Sequence, residues 1–344
     1  QIDALSQSLT NDRTHLNMMM AVLSSLNNWP NVRAVVSCRK YDLEYDSVLN
    51  SLKDKSTVIE IGELAEEEVT IALNKLENGL GKKIDRVTAK MLRTVQMLDS
   101  FSLLFRRNKS KINFNNQIEL YDALWDTVIC DSSPRSDVEM REHLMYKIVE
   151  TIQIAGTLNP QFTPDSSQKR AYEYLASNGL IRREGSAVSF FHQSFYEYAL
   201  ARHYSETGSL FSSDLKKEIQ GLEIRSTVKA VLDFKRGYDT AKFVDEASSI
   251  LEDPDIRLHL KLLTLSVLAF VNNPSRAEKA LVADVCQKDG RLLVYFLRGV
   301  NSPDWFQTIR KMLNGIIPEL KKDDEQFFPI ISCLSRYVFD NPVA

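Results

Sequence analysis

The chain has little cysteine, no long apolar run and almost no net charge, and each shortage excludes something. Four cysteines (Cys38, Cys130, Cys286 and Cys333) lie far apart in 344 residues and form no C-x-x-C pair. They read as reduced, buried, small hydrophobes of a cytoplasmic protein rather than as a disulfide framework. The most apolar segment, Leu262 to Val271, is too short to span a bilayer and follows Arg257, His259 and Lys261. No signal-peptide pattern opens the chain, which begins Gln1-Ile2-Asp3 without a methionine, and that start reads as the interior of a longer protein. The 43 Lys and Arg against 46 Asp and Glu leave a net charge of −3 with both signs interspersed. No basic field is therefore available to draw in nucleic acid. The length suffices for two or three domains.

What the chain does have is an unusual junction, Phe190-Phe191-His192-Gln193-Ser194-Phe195-Tyr196-Glu197-Tyr198. A short apolar strand runs directly into an amphipathic helix, in which Phe195, Tyr198, Ala199 and Arg202 recur at helical spacing. Upstream, Gln168 to Ser177 reads as a helix closed by Asn178-Gly179, with glycine supplying the left-handed terminus. Leu180 to Arg183 and Ala187 to Phe191 read as strands joined at Glu184-Gly185-Ser186. Helix, hairpin, helix is the pattern of a winged helix. A His just before a helix N-terminus can meet whatever that terminus faces, phosphate included; the plainer reading is a core histidine. Arg182-Arg183 reads as a solvated wing, and the acidic balance disfavours a winged-helix transcription regulator.

Toward the N-terminus, Ile2-Asp3-Ala4-Leu5 reads as the end of a buried strand, and a helical stretch follows with Leu16, Met19, Met20, Leu23 and Leu26 on one face. Val32 to Val36 reads as a further strand, near-continuous in apolar residues as a strand buried on both faces is, and Val58 to Ile61 as a third. Strand, helix, strand, loop, strand implies a partial parallel α/β sheet. The two strands are expected to be parallel. Arg39 lies at the C-terminal end of its strand, where such sheets bind ligands; the alternative is a surface ion pair.

In this order the pieces resemble the STAND class of signalling NTPases, of the NACHT type, and in particular bacterial antiviral members. Asp3-Ala4-Leu5 is similar to the Walker B end, and Val35-Val36-Ser37-Cys38-Arg39 to the sensor strand. Ile59-Glu60-Ile61-Gly62-Glu63 is similar to the last sheet strand before the helical domain, and the His192 junction to the end of the family's winged helix. The resemblance implies that Asp3 meets Mg²⁺, that Arg39 senses phosphate, that His192 contacts the phosphates of a bound ATP or ADP in a closed state, and that Val32–Val36 and Val58–Ile61 leave an unfilled slot between them for the strand that bears the P-loop.

Two departures stand out. No G-x-x-x-x-G-K-[ST] loop occurs anywhere, so the phosphate cradle would have to lie upstream of Gln1. Acidic residues usually follow the Walker B aspartate; here Ser6-Gln7 stand in their place, and Gln7 could orient a water but cannot act as a carboxylate base. The resemblance implies an ATPase in an intact parent, and these departures argue against hydrolysis by this chain, which is expected to hold no nucleotide tightly.

The resulting expectation is a mainly α chain with a partial α/β sheet. Residues 1–63 would be the rear of a P-loop NTPase domain, 64–134 a helical domain, 135–206 a winged helix, and 207–344 the start of an α-solenoid-like array. In the helical domain Val69, Ala72, Leu73 and Leu76 form one stripe, Thr88 to Phe105 a second helical stretch, and Ile118 to Ile129 a third. The basic run Arg106 to Lys111 reads as a solvated loop. Beyond Tyr204, helices at Thr240–Leu251, Asp255–Val271, Ser275–Gln287, Leu292–Leu297, Pro303–Ile317 and Glu325–Phe339 are separated by proline and glycine breaks. The partners implied are an upstream half-domain and effector, a protein ligand on the C-terminal helices, and further copies of the chain when active; neither membrane nor nucleic acid is implied. The alternative is a nucleotide-independent helical-repeat adaptor with an embedded winged helix.

Overall fold

The computed structural model describes residues 14–26, 29, 31–38, 43, 47–131, 134–217, 220–221, 224–300, 302–314, 317, 321 and 327–340. It is mainly helical, and among the described residues the only sheet is a two-stranded antiparallel hairpin. The chain divides into two units, residues 1–200 and 201–344. No helix among the described residues is long and apolar enough to cross a membrane.

The first unit opens with α1 (Thr14–Ser25) and the single turn α2 (Ser47–Asn50). Leu49 is fully buried there, with Met19, Met20, Val36, Cys38 and Leu43 packed against it. The α/β expectation needs correction in this region. Val32–Val35 and Val58–Ile61 are not strands, and Val36 makes a single isolated bridge. A parallel strand is held by ladder bonds to its neighbours and by burial of its faces, and lone strands are not stable in water. Val35, Ile59 and Ile61 are instead 89 %, 82 % and 92 % exposed, so neither condition is met. The predicted slot between two parallel strands therefore has no counterpart among the described residues. Ile2–Leu5 lies outside them.

From Glu66 the chain is helical because its apolar residues recur at helical spacing. α3 (Glu66–Leu76) begins with three glutamates that suit the positive helix end, and the Glu68 carboxylate accepts the Ala65 N–H at 2.8 Å. Its stripe buries Val69 and Leu73. The expected single helix from Thr88 to Phe105 is two, α4 (Arg86–Met91) and α5 (Val95–Phe105). The break is set by a residue far upstream: the Arg93 carbonyl accepts the Leu64 N–H at 2.7 Å while Arg93 Nε donates back to the Leu64 carbonyl at 2.8 Å. That clasp diverts the backbone from helical bonding. α6 (Gln117–Val128) follows, its N-cap Asn116 accepting the Glu119 N–H at 2.9 Å.

α7 (Arg135–Ala155) is long, and the buried Arg141 joins it to its neighbours. Its guanidinium bonds Asp131 at 2.7 Å and lies 3.6 Å from the centroid of the Tyr174 ring, whose hydroxyl donates to the same carboxylate at 2.8 Å. Tyr174 belongs to α8 (Lys169–Ser177), which ends as expected at Gly179 with φ 76°. Strands β1 (Ile181–Glu184) and β2 (Ala187–Phe190) then pair, with Ile181 opposite Phe190 and Glu184 opposite Ala187. Gly185, at φ 63°, supplies the left-handed turn residue a two-residue hairpin loop requires. Pro160 and Phe162 extend this hairpin through bonds to Val188 and Ser186. α9 (Gln193–Thr207) follows directly.

In the second unit the helices are α10 (Phe211–Leu215), α11 (Ile224–Tyr238), α12 (Thr240–Glu252), α13 (Leu258–Ala269), α14 (Arg276–Lys288), α15 (Gly290–Gly299), α16 (Phe306–Leu313) and α17 (Phe327–Asp340). α11 packs on α13, α13 on α15 and α15 on α17, while α12 packs on α14 and α14 on α16. Each helix thus meets the one two places on, which is how successive helix pairs stack. Ser275 and Glu278 form the expected capping box at α14. Inside the unit Cys286 is buried, and burial pushes its thiol up to about 12.

Candidate functional site

Of the residues the sequence singles out, Asp3, Gln7 and Arg39 lie outside the described residues. His192 is described, and it is partly buried. The strand register puts Phe190 inward beside Ile181 and leaves Phe191 and His192 to turn the corner into α9. The imidazole lies 4.8 Å from the Phe191 ring, centroid to centroid, and its Nε2 is 3.0 Å from Asp99 Oδ2 on α5. The His192 side chain is 24 % exposed and that of Asp99 57 %.

Behind this pair is a dense aromatic cluster. Phe195, on the inward face of α9, is fully buried, with ring centroids 5.2 Å from Tyr121, 5.0 Å from Phe191 and 5.6 Å from Tyr198. Trp125 of α6 is also fully buried and stacks on Tyr146 of α7 at 5.7 Å. Polar groups thread this wall. The Ser194 hydroxyl bonds both Gln96 of α5 and the Tyr121 hydroxyl of α6, and the Tyr198 hydroxyl donates to Asp122 at 2.6 Å. Burial pushes the Tyr121 phenol up to about 12, against the bond from Ser194. Tyr121 thus stays neutral across the physiological range and can only share its proton by hydrogen bonding.

Burial also holds the His192 imidazole below the ordinary histidine value. The Asp99 bond and charge oppose that shift, and Arg182 on β1 adds to it. His259, at the start of α13, is lowered too, by burial first, with Arg225 and Arg257 adding and a bond to the Gly221 carbonyl opposing. For a histidine whose folded value lies below its unfolded value, the unfolded chain binds more protons between the two. The chain is therefore expected to be fully stabilised by these groups above about pH 6.5 and to lose that contribution as the pH falls through the lowered folded values. Urea midpoints measured from pH 7.5 down to pH 5 should fall, and His192→Gln together with His259→Gln should flatten the curve. Equal slopes in the parent and the double variant would refute the assignment.

Nothing in the sequence marked Asp99 or Gln96. The only pattern available was their i, i+3 spacing on one helix face, which any helix offers. The His192 contact joins residues 93 positions apart. Of the three residues assigned to a nucleotide, only His192 lies among the described residues. Nε2 of His192 is already on a carboxylate, so an incoming phosphate would meet like charge there. Among the described residues no cluster of three or more His, Cys, Asp or Glu could hold a metal ion. The basic run is also engaged: Lys109 pairs with Glu77 at 2.6 Å, and Lys111 with Glu119 at 3.8 Å. No known protein-family model matches the chain, and no curated protein matches it.

Proposed function

We propose that the chain is part of a signalling switch of the STAND class and NACHT type, acting in prokaryotic antiviral defence. The observation that carries this reading is the helix–hairpin–helix from Lys169 to Thr207 with a histidine at its junction, turned toward the helices that precede it. The stacked helix pairs of the second unit support a sensor role, since such arrays present extended surfaces to protein ligands. In this reading the intact parent is controlled by ATP or ADP with Mg²⁺ and oligomerises when a ligand on the C-terminal helices opens it. Asp3 and Arg39 belong to its nucleotide side, and Gln7 is the residue that could orient a water. A ligand can shift such a two-state arrangement only by its difference in affinity for the two states.

A second reading is favoured by two observations. Val32–Val36 and Val58–Ile61 do not form strands, and His192 meets a carboxylate. Both suit a nucleotide-independent helical adaptor with an embedded winged helix. His192→Ala in the intact parent separates the two. For a switch, losing one contact of the closed state shifts the balance by about 1–3 kcal/mol, so signalling should appear without its trigger while the melting temperature holds. A destabilised and silent variant overturns the switch and leaves the adaptor.

A further inference from the structure

We infer that His192 and Asp99 form a latch that fastens the hairpin-to-helix junction onto α5 and that can open while the aromatic core behind it stays closed. The latch needs no nucleotide and stands apart from the switch reading.

The contact joins two elements distant in the chain through one bond at a half-open edge: Asp99 is more than half exposed, and His192 about a quarter. Water can replace either partner, so opening strands no buried group. One helical turn before Asp99, Gln96 bonds Ser194, which also meets Tyr121. The junction therefore has an outer contact, His192 to Asp99, and an inner one at Ser194. Phe195, next in sequence, is fully buried. The gradient from half-exposed pair to dry core lies within four residues, so release at the outer edge does not require breaching the core.

The charged groups that bear on the ring are Asp99 on α5 and Arg182 on β1. On α9, Glu197 takes the Gln193 amide at 3.0 Å, and on α6 Asp122 takes the Tyr198 hydroxyl. At neutral pH the ring is uncharged, and a carboxylate can only accept, so Nε2 carries the proton and donates it. Asp99 thereby fixes the tautomer as well as the position of the ring.

The test uses the full 344-residue chain. In Asp99→Ala, amide hydrogen exchange across β1, β2 and the first turn of α9 should speed up on the order of tenfold, while that of Leu144 to Ile152 in α7 stays unchanged. In Asp99→Asn, which keeps an acceptor but removes the charge, the His192 pKa read by NMR titration should fall further. Junction exchange that does not change in Asp99→Ala overturns the latch. So does equal acceleration in α7, which would mean general destabilisation. An unmoved His192 pKa in Asp99→Asn overturns it as well, since the carboxylate would then have no hold on the ring.

Discussion

Glu246→Ala is expected to cost the chain about 3–5 kcal/mol, enough to unfold the second unit or bring it to the edge. Glu246 of α12 is wholly buried and lies 2.7 Å from Lys235 Nζ of α11, itself 2 % exposed. The carboxylate does more than balance charge. Its two oxygens accept the N–H groups of Ser212 at 2.8 Å and Phe211 at 2.9 Å, which open α10 and have no helical partner. Lys235 also donates to the Ser209 carbonyl at 3.2 Å. Removing the carboxylate leaves a buried ammonium with one carbonyl and two orphaned amides. Lys235→Met with Glu246→Gln removes both charges yet keeps an acceptor for the amides, so the pair should lose much less than Glu246→Ala alone. Urea unfolding followed by circular dichroism reads both. A single variant as stable as the parent, or a double variant worse than the single, would contradict the role given to Glu246.

Phe195→Ala is expected to be as damaging in the first unit, at about 3–5 kcal/mol, because it opens a cavity where aromatic rings meet from two helices and the hairpin. Besides Tyr121, Phe191 and Tyr198, its ring has Phe190 at 6.1 Å and Trp125 at 6.5 Å. Such a wall of rings cannot close over the gap by small movements. The melting temperature should drop on the order of ten degrees. An unchanged melting temperature would mean that the helix–hairpin–helix does not depend on this packing. The contrast with Asp99→Ala is informative: the latch sits at the edge of the wall and Phe195 at its centre.

The helical character of the chain could be read where an apolar stripe was uninterrupted. The α3 stripe buries Val69 and Leu73, and Leu120, Leu124 and Val128 of α6 face inward as their spacing required. The hairpin was legible from Asn178-Gly179 and Gly185, because left-handed backbone leaves a chemical mark. In two helices, α7 and α11, a buried cation takes a place in the apolar stripe: Arg141 precedes Leu144, Met145 and Ile148 on one face, and Lys235 follows Val228, Val231 and Leu232. Arg141 and Lys235 look like solvent-facing residues until the carboxylates Asp131 and Glu246, outside their own helices, come to meet them. The split between α4 and α5 escaped for a related reason: Leu64, far upstream, takes the Arg93 carbonyl.

Local chemistry by itself determined the capping box at Ser275, where the hairpin turns, and that a histidine stands at the hairpin-to-helix junction. Those features depend on residues within about a turn of one another, so the sequence carries them directly. Tertiary structure alone decided which carboxylate meets His192, which buried charges are paired, and that the β-branched runs at Val32–Val36 and Val58–Ile61 are not strands. A strand exists only when a neighbour accepts its ladder bonds, and a histidine's role is set by what lies across from it. Both are long-range facts, fixed by packing that no short window of sequence contains.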